Sequence, residues 1–499
     1  MANIAELPAD LIDRILDFMP RKDLCAVALS CRRLQNHATP SLYRDVSFVA
    51  TNSKTCARKL AQFLRTILER PHLIVHVTVL RLLGSCAYWD RHDPWAKDIR
   101  QAGEVKLWSL DRRHEKSSHL KPEMFYHFLD DDMNITEEQL CGRSKDGLAA
   151  LVMTQLTNIE ALELGDGFMR HSIFLPQIMK RSDYLFPALR SVIMGDKHAS
   201  RDGAVVYVDL NLIRPLFCST ILQQIECSMS QPWQFRWIDG RAPSNTNITN
   251  LCLFRTNINR STLQQLLSAT PNLQSFRYEQ EILFNASTSD GPSLVPFLEL
   301  EGLNRALGSV QGTLKTCQLL LRLASGSMSL SEYPISNVHF PPIEGILTTL
   351  KQMPRLRVAE VPMAMLFGWL PRSYARLEEL LPMNIVELTL RDDFLPFCYW
   401  SRPSSRERRI SRITKYVKDH DTCAPQLETL KVRLTGSKVS LRDAVRSLND
   451  AIDDATAEHE VVLGRKSETY CWTFPTARAT PKRLALAERV DSMLRPSSQ

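Results

Sequence analysis

A run of leucines too short to bury itself opens this chain. Residues Leu7 to Phe48 read LPADLIDRILDFMPRKDLCAVALSCRRLQNHATPSLYRDVSF. Leu7, Leu11, Ile15 and Phe18 recur at helical spacing, with Ile12 and Leu16 beside them and Asp10, Asp13, Arg14 and Asp17 between. The pattern predicts an amphipathic helix of about three turns, begun near Pro8, where a missing N–H costs nothing. Pro20 stops it. Asp23 is placed to cap a second helix bearing Leu24, Val27, Ala28 and Leu29. Arg32, Arg33, Leu34 and His37 predict a third, closed before Pro40. Three helices in about 35 residues fall below the size at which a domain generally stands alone. Their apolar surface must be completed by another protein, by the rest of the chain, or by both. A helical cap on a repeat array is one such arrangement.

The rest of the chain is long enough to supply that partner. Its 499 residues leave room for one large repeat array or about three domains of ordinary size. Hydrophobic content of 44% and charged content of 23% exclude wholesale disorder, and 18 glycines exclude collagen-like or flexible-linker architecture. A net charge of +7 is mild at this length, so no nucleic-acid partner is expected. The N-terminus carries Glu6, Asp10 and Asp13 before its first basic residue, Arg14, which is not a secretory signal. No window approaches the 18 or so apolar residues that span a bilayer. The expectation is an intracellular protein, cytoplasmic and/or nuclear, with no membrane partner. The 12 cysteines are widely spaced and never form Cys-x-x-Cys; they are expected as reduced thiols, mostly buried, with no metal site.

The opening segment also carries a resemblance. Leu7-Pro8, Leu11-Ile12, Ile15-Leu16, Asp23-Leu24 and Cys31-Arg32-Arg33-Leu34, in that order, resemble an F-box, and Pro40 to Val46 resembles the exit from that motif in fungal-type F-box proteins. Leu34 stands where many F-boxes have tryptophan, so packing there is expected to be somewhat weaker. The resemblance covers about 40 residues. It implies docking onto the linker subunit of a cullin-based (SCF) ubiquitin ligase, and through it onto cullin. Carried over position by position, it implies Leu7, Pro8, Leu11, Ile12, Ile15, Leu24 and Val27 as the linker-binding residues.

The body repeats a short apolar pattern. The leucine-rich-repeat strand has the form Φ-x-x-Φ-x-Φ, where Φ is apolar and points into the core. It can be read at Val77–Leu82, Ile159–Leu164, Leu189–Met194, Leu222–Cys227, Ile248–Leu253, Leu273–Tyr278, Leu314–Leu319, Leu356–Val361, Ile385–Leu390 and Leu427–Val432, with Tyr43–Phe48 as a first strand. So short a template is unspecific in a chain this apolar. A stricter form, Pro-x-Leu continuing as x-x-Φ-x-Φ, starts at Pro187, Pro271, Pro354 and Pro425, against about one or two expected by chance. Helical stretches at Ser261–Ala269 and Ile343–Met353 precede two of these, and helix, proline turn, strand is the unit of such repeats. The strand intervals are uneven and the usual asparagine after each strand is mostly missing, so the array is degenerate. The predicted architecture is α/β: an F-box at 5–46, an irregular leucine-rich-repeat solenoid at 47–434 with an insertion at about 84–147, and a C-terminal helix (Leu441 to Ala457) with a partly disordered tail over 435–499.

No catalytic constellation is present in the sequence. There is no phosphate-binding glycine loop, no Gly-x-Ser-x-Gly and no His-Glu-x-x-His, so no catalytic residue, cofactor or enzyme activity is expected. Asp392-Asp393 and Asp453-Asp454 read as solvated pairs. Arg402, Arg406, Arg408, Arg409, Arg412, Lys415 and Lys418 form a basic run, either a localisation or phosphate-binding patch or a solvated loop and following helix. In each strand the x between the last two Φ positions faces away from the core. Reading those positions and the one after gives Arg277, Arg391, Lys431 and Arg433 as a basic strip in the later repeats. Such a strip either binds a protein substrate through a carboxylate or phosphate or is a set of ordinary solvated charges. The functional expectation is a substrate-recognition adaptor of an SCF ubiquitin ligase. The alternative is an F-box scaffold acting outside a ligase.

Overall fold

The structure is a computed structural model. It describes residues 7–49, 53–84, 145–169, 172, 174–195, 208–232, 234–237, 240–244, 246–283, 298–324, 343–368, 375–393, 403–434, 458–463 and 468–474. Residues 85–144 of the insertion expected at about 84–147, the expected helix at 441–457, Asp453-Asp454 and the tail from 475 lie outside the described residues. Among the described residues no helix is long and apolar enough to cross a membrane. The chain divides into two compact units, Met1–Ile258 and Asn259–Gln499.

The first unit opens with α1 (Ala9–Asp17), α2 (Arg21–Ser30) and α3 (Arg32–Arg44). Both prolines expected at the helix boundaries act there: the carbonyls of Pro8 and Pro20 accept the first amide hydrogen bonds of α1 and α2. Pro20, not Asp23, is therefore the cap of α2, and Asp23 lies in its first turn. The third helix does not close before Pro40 but runs through it. A proline inside a helix removes one backbone hydrogen bond and crowds the carbonyl four residues back. Tertiary contacts beyond Pro40 offset that cost: Leu42 packs on the three-helix core, Arg44 pairs with Asp17 at 3.0 Å, and its carbonyl accepts Thr78 N–H at 3.1 Å.

The chain then enters a parallel sheet: β1 (Asp45–Val49), β2 (Val79–Leu83), β3 (Ala161–Leu164), β4 (Ser191–Met194), β5 (Gln224–Cys227) and β6 (Asn250–Thr256), paired in sequence order. Parallel neighbours need a crossover. Helices α4 (Ser53–Glu69), α5 (Lys145–Gln155) and α6 (Leu175–Lys180) lie in three of those connections. All six predicted segments in this unit overlap a strand: β3, β4 and β5 lie wholly within theirs, while β1, β2 and β6 run past the predicted end. From β2 on, the second Φ of each lies beside the next without slippage, Leu80, Leu162, Val192, Ile225 and Leu251. Those side chains are at most 2% exposed. The turns repeat as well: Thr78, Glu160, Arg190 and Gln223 each offer their carbonyl to the two amides that open the next strand.

The second unit repeats the arrangement with β7 (Ser275–Leu283), β8 (Thr316–Ala324), β9 (Val358–Pro362), β10 (Glu387–Arg391) and β11 (Thr429–Leu434). Phe276, Cys317, Ala359, Leu388 and Leu430 form its core ladder, all 0% exposed. Helix α7 (Arg260–Ser268) stands where Ser261–Ala269 was expected, capped by Asn259 through Thr262 N–H, and packs on α8 (Leu300–Gly308). The stretch Ile343–Met353 is not a helix. It holds a two-residue bridge and one 3-10 turn, Thr349–Gln352. Gly345 takes φ +82°, and Asn304 Oδ1 accepts the Thr348 and Thr349 amides at 3.0 and 3.1 Å, so a side chain replaces the helical ladder there.

Two further departures concern the end of the chain. The basic run is a single helix, α9 (Pro403–Lys418), with Ile413, Tyr416 and Val417 buried, rather than a solvated loop with a helix after it. Beyond residue 434, where the sheet was expected to stop, β12 (Glu458–Leu463) and β13 (Glu468–Thr473) form an antiparallel hairpin, with β13 paired to β11. Trp472 is the anchor of that hairpin, 1% exposed.

Candidate functional site

The three N-terminal helices close on a small core of Ile12, Leu16, Leu24, Leu34 and Ala38, with Leu7, Met19, Val27, Ala28 and Leu42 packed against it. Leu34, at 5% exposure, fills its place in that core without an aromatic ring. Polar contacts tie α1 to α3: His37 Nδ1 lies 2.8 Å from Asp13 Oδ1, and Arg33 donates to the Leu7 carbonyl at 3.1 Å.

The seven sequence-predicted linker residues divide in two. Ile12 and Leu24 point inward and build the core. Leu7 and Val27 are half-buried at its margin, while Pro8, Leu11 and Ile15 face out. Leu11 is 47% exposed and Ile15 38%, and the same stripe ends in Phe18 at 89%, one helical turn on. Leu29 on α2 is 87% exposed. Leu11, Ile15 and Phe18 follow one another along one helix as an exposed apolar stripe, and contiguous patches rather than single exposed side chains are what mark interaction sites. Phe18 and Leu29 were in the helical pattern but absent from the predicted site, because spacing marks an apolar stripe without saying which edge of it faces out.

The strip read along the later strands is differently built. Arg391 is 10% exposed at its side chain; it donates to Glu360 Oε1 at 2.6 Å and to Asp393 Oδ2 at 2.9 Å. Burial pulls the Arg391 guanidinium downward, but Asp393 and Glu360 overturn that and hold it above its ordinary value. Arg433 converges on the same Glu360 oxygen at 2.7 Å, and Lys431 pairs with Glu387 at 2.7 Å. Arg277 sits 3.9 Å from Glu279, whose other oxygen meets Arg322. The four basic residues thus share one sheet region, each with a carboxylate beside it.

Asp392 and Asp393, read as solvated, are 0% and 5% exposed. Asp393 accepts Leu321 N–H at 3.0 Å on β8, where β9 no longer pairs. A carboxylate sequestered by an arginine and a backbone amide loses the solvation that a sequence reading assumes. The thiols also depart from expectation: Cys56, Cys227 and Cys317 are buried, but Cys25, Cys31 and Cys218 are exposed.

Among curated proteins, none matches this chain. Residues 4–49, which include all three helices and β1, match the F-box-like protein family.

Proposed function

We propose that this protein is the substrate-recognition adaptor of an SCF-type, cullin-based ubiquitin ligase. F-box domains bind the linker subunit of such complexes, and the observation that carries the reading is the exposed stripe Leu11, Ile15 and Phe18 on a domain of that family. Pro8 and the half-buried Leu7 and Val27 extend that surface, while Ile12 and Leu24 hold its backbone in place from beneath. The two parallel-sheet units are read as an irregular leucine-rich array that holds a protein target. The evenly registered core ladders and the repeated turn hydrogen bonds support this. The chain makes and breaks no bond in this mechanism. It raises the effective concentration of the target at the ligase, so that ubiquitin transfer becomes intramolecular.

On the target side, Arg277 is the exposed member of the basic strip, Lys431 and Arg433 are half-buried, and Arg391 positions Glu360 beneath Arg433. An acidic or phosphorylated segment would take over the pairing that Glu360 and Glu387 now provide. The test is affinity capture of the tagged chain with and without residues 1–46. Recovery of linker and cullin together, lost on truncation, supports the ligase adaptor. Recovery of the linker without cullin supports a scaffold outside the ligase. Recovery of neither removes the proposal.

A further inference from the structure

The basic helix contributes nothing to the proposed adaptor mechanism, yet it concentrates charge as no other segment does. Between Arg402 and Lys418 stand seven basic residues and the single acid Glu407, in a chain whose net charge is only +7. Ile413, Tyr416 and Val417 seat the helix, and Arg412 lies over the Phe367 ring at 5.7 Å. Ser411, Lys415 and Lys418, spaced one turn apart, are exposed on the other side.

Ser411 has a specific chemical setting. Arg406, Arg408 and Arg409 precede it by five, three and two residues. Kinases that select substrates by charge read guanidinium groups N-terminal to the acceptor with carboxylates of their own cleft, and a fork-shaped donor at a fixed spacing suits that readout. We propose that Ser411 is a phosphorylation site for an arginine-directed serine/threonine kinase. The γ-phosphoryl group of ATP passes to the Ser411 hydroxyl: the Oγ–P bond forms as the bond from Pγ to the β,γ-bridging oxygen breaks. ADP leaves with that electron pair, and the hydroxyl proton goes to the kinase's base.

A kinase takes its substrate extended, so the helix must open as far as Ser411. Ile413, Tyr416 and Val417, which seat the helix, lie C-terminal to Ser411. Local opening of a helix end of this kind costs far less than global unfolding. The product carries an added charge of about −1.5 to −2 beside Lys415, which cuts the net charge of the run by roughly a third. The site is thus a charge switch on a predominantly basic helix.

The test incubates the full chain with a cyclic-AMP-dependent kinase catalytic subunit, ATP and Mg2+, alongside a free peptide of residues 402–418. One phosphate per chain is expected by intact mass, mapped to Ser411, and abolished in Ser411→Ala. Arg408→Gln with Arg409→Gln should lower the rate about tenfold or more, since each charge-assisted contact is worth about a factor of ten in recognition. Circular dichroism matching the parent confirms that each variant is folded. Labelling that survives Ser411→Ala, labelling on Ser404 or Ser405 instead, absence of labelling, or labelling of the peptide but not the chain overturns the proposal.

Discussion

Ile12 and Phe18 lie six residues apart in one helix and do opposite work. Ile12 is fully buried and Phe18 almost fully exposed. Ile12→Ala removes packing from a core with few other members and should cost about 2–5 kcal/mol, lowering the melting temperature of the N-terminal helices. Phe18→Ser should stay within about 0.5 kcal/mol of the parent in the same melt, because nothing packs on an exposed ring. The acid network supports a second contrast. Glu360→Ala leaves Arg391, 10% exposed at its side chain, with one carboxylate fewer and should destabilise the second unit by about 3–5 kcal/mol in denaturant unfolding. Equal stability would mean the pair is dispensable. For this reason a charge reversal meant to probe target binding belongs at Lys431 and Arg433, not at buried Arg391. The thiols give a third measurement: burial pushes Cys317 up to about 12, so at neutral pH it holds no thiolate. Maleimide should label exposed Cys25, Cys31 and Cys218 in the folded chain and spare Cys317 until denaturant is added.

Elements were legible in proportion to how local their cause is. Ten strand positions in the body follow from Φ-x-x-Φ-x-Φ, because alternating burial along a strand writes its register into the sequence. The first two N-terminal helices were equally visible. Helix α3 was visible at its start but not at its end, since its passage through Pro40 depends on Leu42 and Arg44 finding partners elsewhere. The 3-10 turn at Thr349–Gln352 depends on Asn304, more than 40 residues earlier, and the burial of Asp393 depends on an amide of β8. Nothing in the sequence near those positions records either partner. The hairpin β12–β13 was missed for the same reason, as its cause is the free edge of β11. Trp472→Ala should therefore cost about 3–5 kcal/mol, measured by chemical unfolding. If the chain beyond residue 434 were a loosely attached tail, the substitution would be silent.

At the scale of the molecule, two kinds of surface suit two tasks. The N-terminal helices leave an apolar stripe uncovered, which suits an obligate partner, whereas the sheet units leave paired charges, which suit a polar and selective one. The first assignment was readable from sequence through a short ordered motif; the second was readable only as a set of basic positions, without the carboxylates that answer them. The claim on which the rest depends is that the stripe is the docking face. Its most direct test is titration of purified linker subunit into the full chain and into Ile15→Asp, followed by calorimetry. The parent should bind one linker per chain. The variant should lose binding by several kcal/mol while its circular dichroism and melting profile hold, because a half-exposed charge is tolerated in the free chain and not in an apolar contact. Wild-type affinity in a folded Ile15→Asp chain would contradict the assignment.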